Sequence, residues 1–307
     1  MRIKRFLTLL LVVMTLMLSA ACSKHEITKS QYAIDFGEVA SDHWNISDVK
    51  MEYKADELSK KISGKEMFIY VSSKVKNYES IAEKYSFSEA QIDSFEDRLV
   101  YYKDEMEDYS RILMIWSNGK TSYSTGIKET YFETKVSEAD CIELAKEALK
   151  QYGLTEKPFD DECYVSTSSV TDPVKNETKI IGYTITVHFL LNGAKLFGSP
   201  RAYIQFNGNG EVVTIMYNMP DFIESEPAKL LGVKRVLKLI EKGEMPVMCG
   251  LDTDDAPDKI TIEDVDICYY SQTYDDGMQI AQPIYVFSAI GHFDNEEIPF
   301  TIMAQAN

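Results

Sequence analysis

The chain is poor in the residues that build reactive centres. Four histidines in 307 residues leave little from which to assemble a His-rich catalytic metal centre. Five cysteines at wide spacings include no CxxC pair, so a structural zinc site has no ligand pattern to rest on. No GxSxG, HExxH, GxxxxGK[ST] or GxGxxG is present. Basic residues are also scarce: 32 Lys+Arg stand against 49 Asp+Glu, a net charge of −17. That balance excludes a nucleic-acid binder, which needs a basic face for phosphate. Proline is absent before Pro158, and all nine lie from there on. What remains is ordinary for a globular protein: 45% hydrophobic and 26% charged, in a chain long enough for more than one core.

The one long apolar run lies at the start. Arg2, Lys4 and Arg5 precede residues 6–18, which are apolar except Thr8 and Thr15. Ser19, Ala20 and Ala21 are small, and Cys22 follows. The run is too short for an ordinary membrane-spanning helix and has the form of a secretory signal over residues 1–21. With its cysteine it resembles the lipobox of bacterial lipoproteins, with Ser19 where a leucine is usual and Leu18 one place further back. That resemblance implies cleavage before Cys22, a lipid on its sulfur, and a protein held by the bilayer on the extracytoplasmic face of the cell membrane. Loss of residues 1–21 removes three basic charges, so anionic headgroups offer no attraction and the lipid must do the anchoring.

Residues 22–64 are polar and weakly periodic and read as a tether and lead-in segment, with Trp44 and Tyr53 able to dock on the body. Residues 65–132 read as a small N-terminal α+β unit. Alternation at 67–71 predicts a strand, and helices are expected over 77–85 and 88–96, the second from the Ser88/Gln91 capping pattern. Strands follow at 99–102, 112–116 and 122–127, the last two joined at Asn118-Gly119.

From 133 the pattern becomes helix then strands, twice. Ser137 and Asp140 form a capping box ahead of Cys141, Ala145, Ala148, Leu149 and Tyr152, and Gly153 stops the helix. Strands at 183–189, 203–206 and 211–217 alternate across Asn192-Gly193 and the NGNG turn at 207–210. A helix over 226–242 and strands at 262–269, 284–290 and 298–303 repeat the order, giving units at 133–222 and 223–307. The expected fold is therefore α+β, two helix-plus-antiparallel-meander units preceded by a smaller unit. A piece spanning 133–307 is expected to fold by itself, since each unit can cover the other's apolar face.

The stretch TITVHFLLNGAKLFGSPRAYIQFNGNGEVVTIM, beginning at Thr184, resembles the PepSY-type modules of peptidase propeptides and of the YycI/YycH group of membrane-attached regulators. The likeness extends over 137–307; its second copy lacks the GEVV hairpin. It implies a non-catalytic protein that modulates an envelope protein such as a sensor kinase or peptidase. The alternative is a small-ligand or cell-wall-glycan binding lipoprotein. No cofactor, metal or catalytic residue follows from either reading.

Local clusters are weak. His188 lies on a polar strand face, and His292 stands near Asp294, Glu296 and Glu297, as in a surface turn. Cys141, Cys163, Cys249 and Cys268 read as buried or free thiols, with three pairings open if bridges form. Tyr101, Tyr102, Tyr269, Tyr270 and Tyr274 read as cross-strand pairs before they read as a groove. Residues 251–307 carry twelve acidic side chains against Lys259 alone. Asp252, Asp254, Asp255 and Asp258 are the candidate docking face for a basic partner; a solvated acidic surface or a partial calcium loop are the alternatives.

Overall fold

The computed structural model describes residues 34, 36, 44–73, 77–87, 91–104, 110–129, 132–172, 176–251, 253, 255–274, 277–294 and 296–307. The signal segment, Cys22, Asp252 and Asp254 lie outside these residues, as does most of the 22–43 tether. The chain divides into 1–35 and a single unit from 36 to 307.

Fifteen strands and four α-helices follow in order. They are β1 Lys50–Glu52, α1 Ala55–Lys61, β2 Phe68–Ser72, α2 Tyr78–Lys84, β3 Gln91–Ser94, β4 Arg98–Asp104, β5 Ser110–Trp116, β6 Thr121–Ser124, α3 Glu138–Gln151, β7 Phe159–Asp172, β8 Glu177–Leu191, β9 Ala194–Asn207, β10 Val212–Asn218, β11 Phe222–Pro227, α4 Val233–Glu241, β12 Val247–Cys249, β13 Lys259–Thr273, β14 Gln279–His292 and β15 Glu297–Gln305. The α+β class is thus as expected, with sheet dominant.

The first half builds an antiparallel sheet in the order β7-β8-β9-β10-β6-β5-β4-β3. Its turns are those the sequence asks for: Asn192 and Gly193 both take positive φ, 50° and 78°, so β8 and β9 close on a two-residue hairpin. One face is closed by α3, which the Ser137–Asp140 capping box starts. Cys141, Ala145, Ala148 and Leu149 are buried there, as are Ile185, Val187, Phe189, Ala202 and Ile204 on the strands beneath. Each valine, leucine, isoleucine or phenylalanine among them contributes about 1.5–3 kcal/mol when moved from water, and together they hold the helix down. Tyr85, after α2, stacks on Tyr152, with ring centroids 5.3 Å apart, and both pack on Tyr123 of β6.

The second half centres on β13 and β14, paired antiparallel over their length, with β15 and then β12 beyond β14. Val233, Val236, Leu237 and Ile240 are the buried stripe of α4. The two sheets meet where β13 runs parallel to β9, Ser271 opposite Gly198. Gly198 has φ +89°, and a Cβ there would lie 2.1 Å from the Ser271 carbonyl oxygen, so only glycine permits this approach. Beside it the buried Gln279 amide is satisfied on several sides. Its backbone N–H donates to Ser72 Oγ (2.8 Å), Nε2 donates to Asn218 Oδ1 (3.0 Å), and Ser271 Oγ donates to Oε1 (3.4 Å).

Several local expectations are corrected. The helix expected at 88–96 is strand β3 over its described part, because Ile92, Asp93 and Ser94 pair with β4. The helix expected from 226 starts at Val233; residues 222–227 instead form β11 on β2, and Pro227 ends that strand. The described part of the 22–64 tether is built into the body: β1 pairs with β13, and the Trp44 indole N–H donates to the Thr253 carbonyl (3.2 Å). Strands of the 65–132 segment join both halves, β2 pairing with β14 and β11, and β6 with β10.

Candidate functional site

The eight-stranded sheet has a second face, and the pairing register lists who shares it. Tyr164, Thr186, Tyr203, Met216, Ser122 and Met114 stand opposite one another from β7 to β5. The neighbouring row is Ser166, Thr184, Gln205, Thr214, Ser124 and Ile112. All twelve are half-buried or exposed. None is charged, on a protein of net charge −17. Hydroxyl, aromatic and thioether groups make this face amphipathic, while Arg201 stacks on Tyr203 at its side, 4.9 Å from the ring centroid.

This face ends at an unpaired edge. Among the described strands β7 pairs with β8 alone, so its other edge presents backbone N–H and C=O groups along fourteen residues. Proteins usually guard such an edge with lysine, proline or a bulge. β7 has bulges between Phe159 and Cys163 and between Ser168 and Ser169, and neither lysine nor proline anywhere in it. The regular stretch 163–168 between the bulges is an open template. Tyr164 (53% exposed), Val170 (41%) and Ile180 (36%) lie beside it, so apolar area accompanies the free backbone. The sequence pattern missed β7 because its serines and threonines give little hydrophobic alternation; the strand propensity of Tyr164, Val165, Thr167, Val170 and Thr171 was the available signal.

His188 lies next to that edge, between the rings of Tyr164 and Phe197. Its pKa is depressed, first by burial and then by the positive charges of Lys195 and Arg201. Nδ1 is buried without a hydrogen-bond partner among the described residues. Lys195 meanwhile bridges Asp160 (2.7 Å) and Glu162 (3.0 Å). Burial alone would raise the Asp160 pKa, but the Lys195 hydrogen bond reverses this and leaves it lowered.

The other sequence candidates separate. His292 is tied down, Nδ1 3.0 Å from Glu297 and Nε2 2.8 Å from Thr261 Oγ1. Among the described residues no three His, Cys, Asp or Glu side chains converge as metal ligands. The four thiols are unbridged, and burial pushes Cys141 up to about 11 and Cys268 up to about 12. Tyr101 on β4 and Tyr269 on β13 are buried, with β9, β10, β6 and β5 lying between their strands. In the acidic lobe, Asp255 and Asp258 are exposed. Two of the twelve acidic side chains are answered from elsewhere in the chain: Lys61 reaches Asp264 (2.6 Å) and Lys65 reaches Asp266 (2.8 Å). Counting charge along residues 251–307 alone could not register those lysines.

Among the described residues no helix is long and apolar enough to cross a membrane. No family model matches the chain, and no curated protein matches it. Solved structures similar to this chain include two of low sequence identity. An uncharacterized protein from Eubacterium rectale is 12% identical with a TM-score of 0.48, over 78% of this chain and 83% of that one. The YpeB C-terminal domain of Bacillus megaterium is 10% identical with a TM-score of 0.38, over 76% of this chain and all of that domain.

Proposed function

We propose that this is a lipid-anchored extracytoplasmic protein, without catalytic activity, that regulates an envelope protein by pairing with an extended segment of it along β7. The observation that carries the reading is the regular stretch 163–168 of β7, unpaired among the described strands and lying between two bulges, beside an uncharged, amphipathic sheet face. Backbone pairing supplies affinity, and alternate side chains of the added strand read the Tyr164–Met216 row. Occupancy then shifts the partner's equilibrium by mass action. The anchor rests on Arg2 to Cys22, whose order of charge, apolar run, small residues and cysteine supports acylation of Cys22. PepSY-like units belong to the same proposal. The likeness of the stretch from Thr184 supports them, as does the order of α3 before β7–β10 and of α4 before β12–β15.

The test places a photo-crosslinking residue at Tyr164 in the membrane-held protein. One envelope protein should be trapped there and not from the same residue at Lys234 on the exposed side of α4. Thr167→Pro, which removes an N–H and fixes φ in the template stretch, should abolish the adduct. An adduct that survives Thr167→Pro, or equal trapping from Lys234, refutes strand addition. Cys22→Ala should separately end fatty-acid labelling; label retained in that variant refutes the anchor.

A further inference from the structure

A cavity of about 380 Å³ opens on the other side of the molecule's closed layer, between the end of α2, the segment after α3 and the β10–β11 connection. Its apolar floor is Ile81, Leu154, Tyr217 and Met219, the last three buried. Its polar wall includes Ser73, Ser80 and Thr121, and Thr121 Oγ1 is engaged by the buried Tyr85 hydroxyl at 2.9 Å. Four lining residues are charged: Lys84, Glu156, Lys157 and Asp221. They form two ion pairs, Lys84–Glu156 at 3.1 Å and Lys157–Asp221 at 2.6 Å.

Those pairs are asymmetric. The lysines are about a third exposed, 32% and 35%, while the carboxylates are 71% and 74% exposed. The lysine stems are therefore fixed in the wall, with Lys84 Cδ 3.8 Å from where a Cβ on Gly153 would be, and the carboxylates are free to swing. Exposed pairs of this kind hold only weakly, so a ligand can open them at small cost. The wall offers both signs of charge side by side. A simple anion matches only the lysines and a simple cation only the carboxylates, whereas a molecule with one ammonium and one carboxylate matches both. The cavity lies at the small end of ligand sites, which suits a compact polar molecule.

We propose that this cavity binds a small zwitterion of amino-acid to dipeptide size, its carboxylate on a wall lysine and its ammonium on the freed carboxylate. The proposal is independent of the β7 reading, because no residue of β7 lines the cavity. The cavity joins Ser73, next to the β2–β11 pair, to Thr121 and Tyr217 of the first sheet, so a bound ligand bridges segments far apart in the chain.

Calorimetric titration of the whole protein tests it with three probes: alanylalanine, its N-acetyl form lacking the cation, and its C-terminal amide lacking the carboxylate. Alanylalanine should give saturable heat, and each blocked form should bind about two- to fivefold more weakly, the worth of one partly exposed charge pair. Ser80→Trp, which fills the mouth from an exposed helix position, should remove the response. No saturable heat from alanylalanine overturns the proposal. Equal binding of all three probes, tighter binding of either blocked form, or unchanged binding to folded Ser80→Trp also overturns it. The probe series decides by itself if Ser80→Trp fails to fold.

Discussion

In β8 every second residue from 183 to 191 is buried and those between are half-open, whereas in β14 residues 279–285 are buried on both faces. Both strands are the middle of an antiparallel meander that follows a helix, so the difference is in what covers them. β14 is enclosed: β13 lies along one edge, and β2 and then β15 share the other. β8 is enclosed on the α3 side only, and its neighbour β7 leaves an edge uncovered. A strand buried on both faces has no surface to offer a partner. On the proposed reading the open face of the first half is the one available to a partner, and the close Gly198–Ser271 pairing with the Gln279 network joins the two halves.

The largest break in that comparison comes from removing residues 1–132. The deletion strips β6 from β10 and takes Leu113, Ile115 and Tyr123, all essentially inaccessible, from the closed layer. It also removes Tyr85 from its stack on Tyr152 and β2 from β14. The expectation from sequence was that 133–307 folds alone. The pairing instead predicts a protein with no cooperative thermal transition, and a sharp transition would show that the two meanders suffice.

Next comes a pair of substitutions at matched depth in sequence but not in space. Phe287→Ala, at a side chain with no exposure, should cost about 3–5 kcal/mol of unfolding free energy. Met216→Ala, on the open face at 39% exposure, should cost less than about 1 kcal/mol. Urea denaturation of both variants measures the contrast. A large loss at Met216 would mean that the face is part of a core.

Much of this contrast was legible in the sequence, and the illegible part has physical causes. The helix from Ser137 was readable because its capping box, its stripe and its stopping glycine agree. The first meander was readable because Asn192-Gly193 admits few turn types. The strand β3 read as helix because Ser88 with Gln91 imitates a helix start, while its pairing partner in β4 decides the outcome. β11 was hidden because Phe222 and Ile223 precede acidic residues and a proline, so only contact with β2 identifies it as a strand. The cavity was invisible for a related reason. Its lysines and carboxylates come from α2, the turn after α3 and the β10–β11 connection, and no local spacing brings them together.

A smaller effect is expected at His188, and it sharpens where the open sheet stops being solvent. Burial, with Lys195 and Arg201, depresses its pKa below the ordinary 6.5. The folded protein therefore keeps the ring neutral at a pH where the unfolded chain has bound a proton. By linkage, stability declines as pH falls through the unfolded value of about 6.5, and levels off below the folded value. His188→Gln should flatten that part of the stability–pH curve and leave the neutral-pH value nearly unchanged. A curve identical to that of the parent would place His188 in free solvent.

The smallest effect concerns the second sheet's acidic side. Lys61 and Lys65 reach across from α1 and the loop after it to Asp264 and Asp266 on β13. The Asp264 carboxyl is held below the usual carboxylate range, first by the Lys61 hydrogen bond and then by the Val265 backbone N–H. The pair is about half exposed, 47% and 55%, so water screens it. A double-mutant cycle of Lys61→Ala and Asp264→Ala should return a coupling of about 0.2–1 kcal/mol at neutral pH. The sign follows from the depressed pKa: the contribution is present above the unfolded value of about 3.9 and is lost as pH falls through the lower folded value. Repeating the cycle in high salt should shrink the coupling, since exposed charges are screened over about 3 Å at 1 M. Zero coupling at low salt would mean that α1 does not neutralise β13. The full acidity of residues 251–307 would then be open to a basic partner, and Asp255 and Asp258 would compete with the β7 edge as the docking surface.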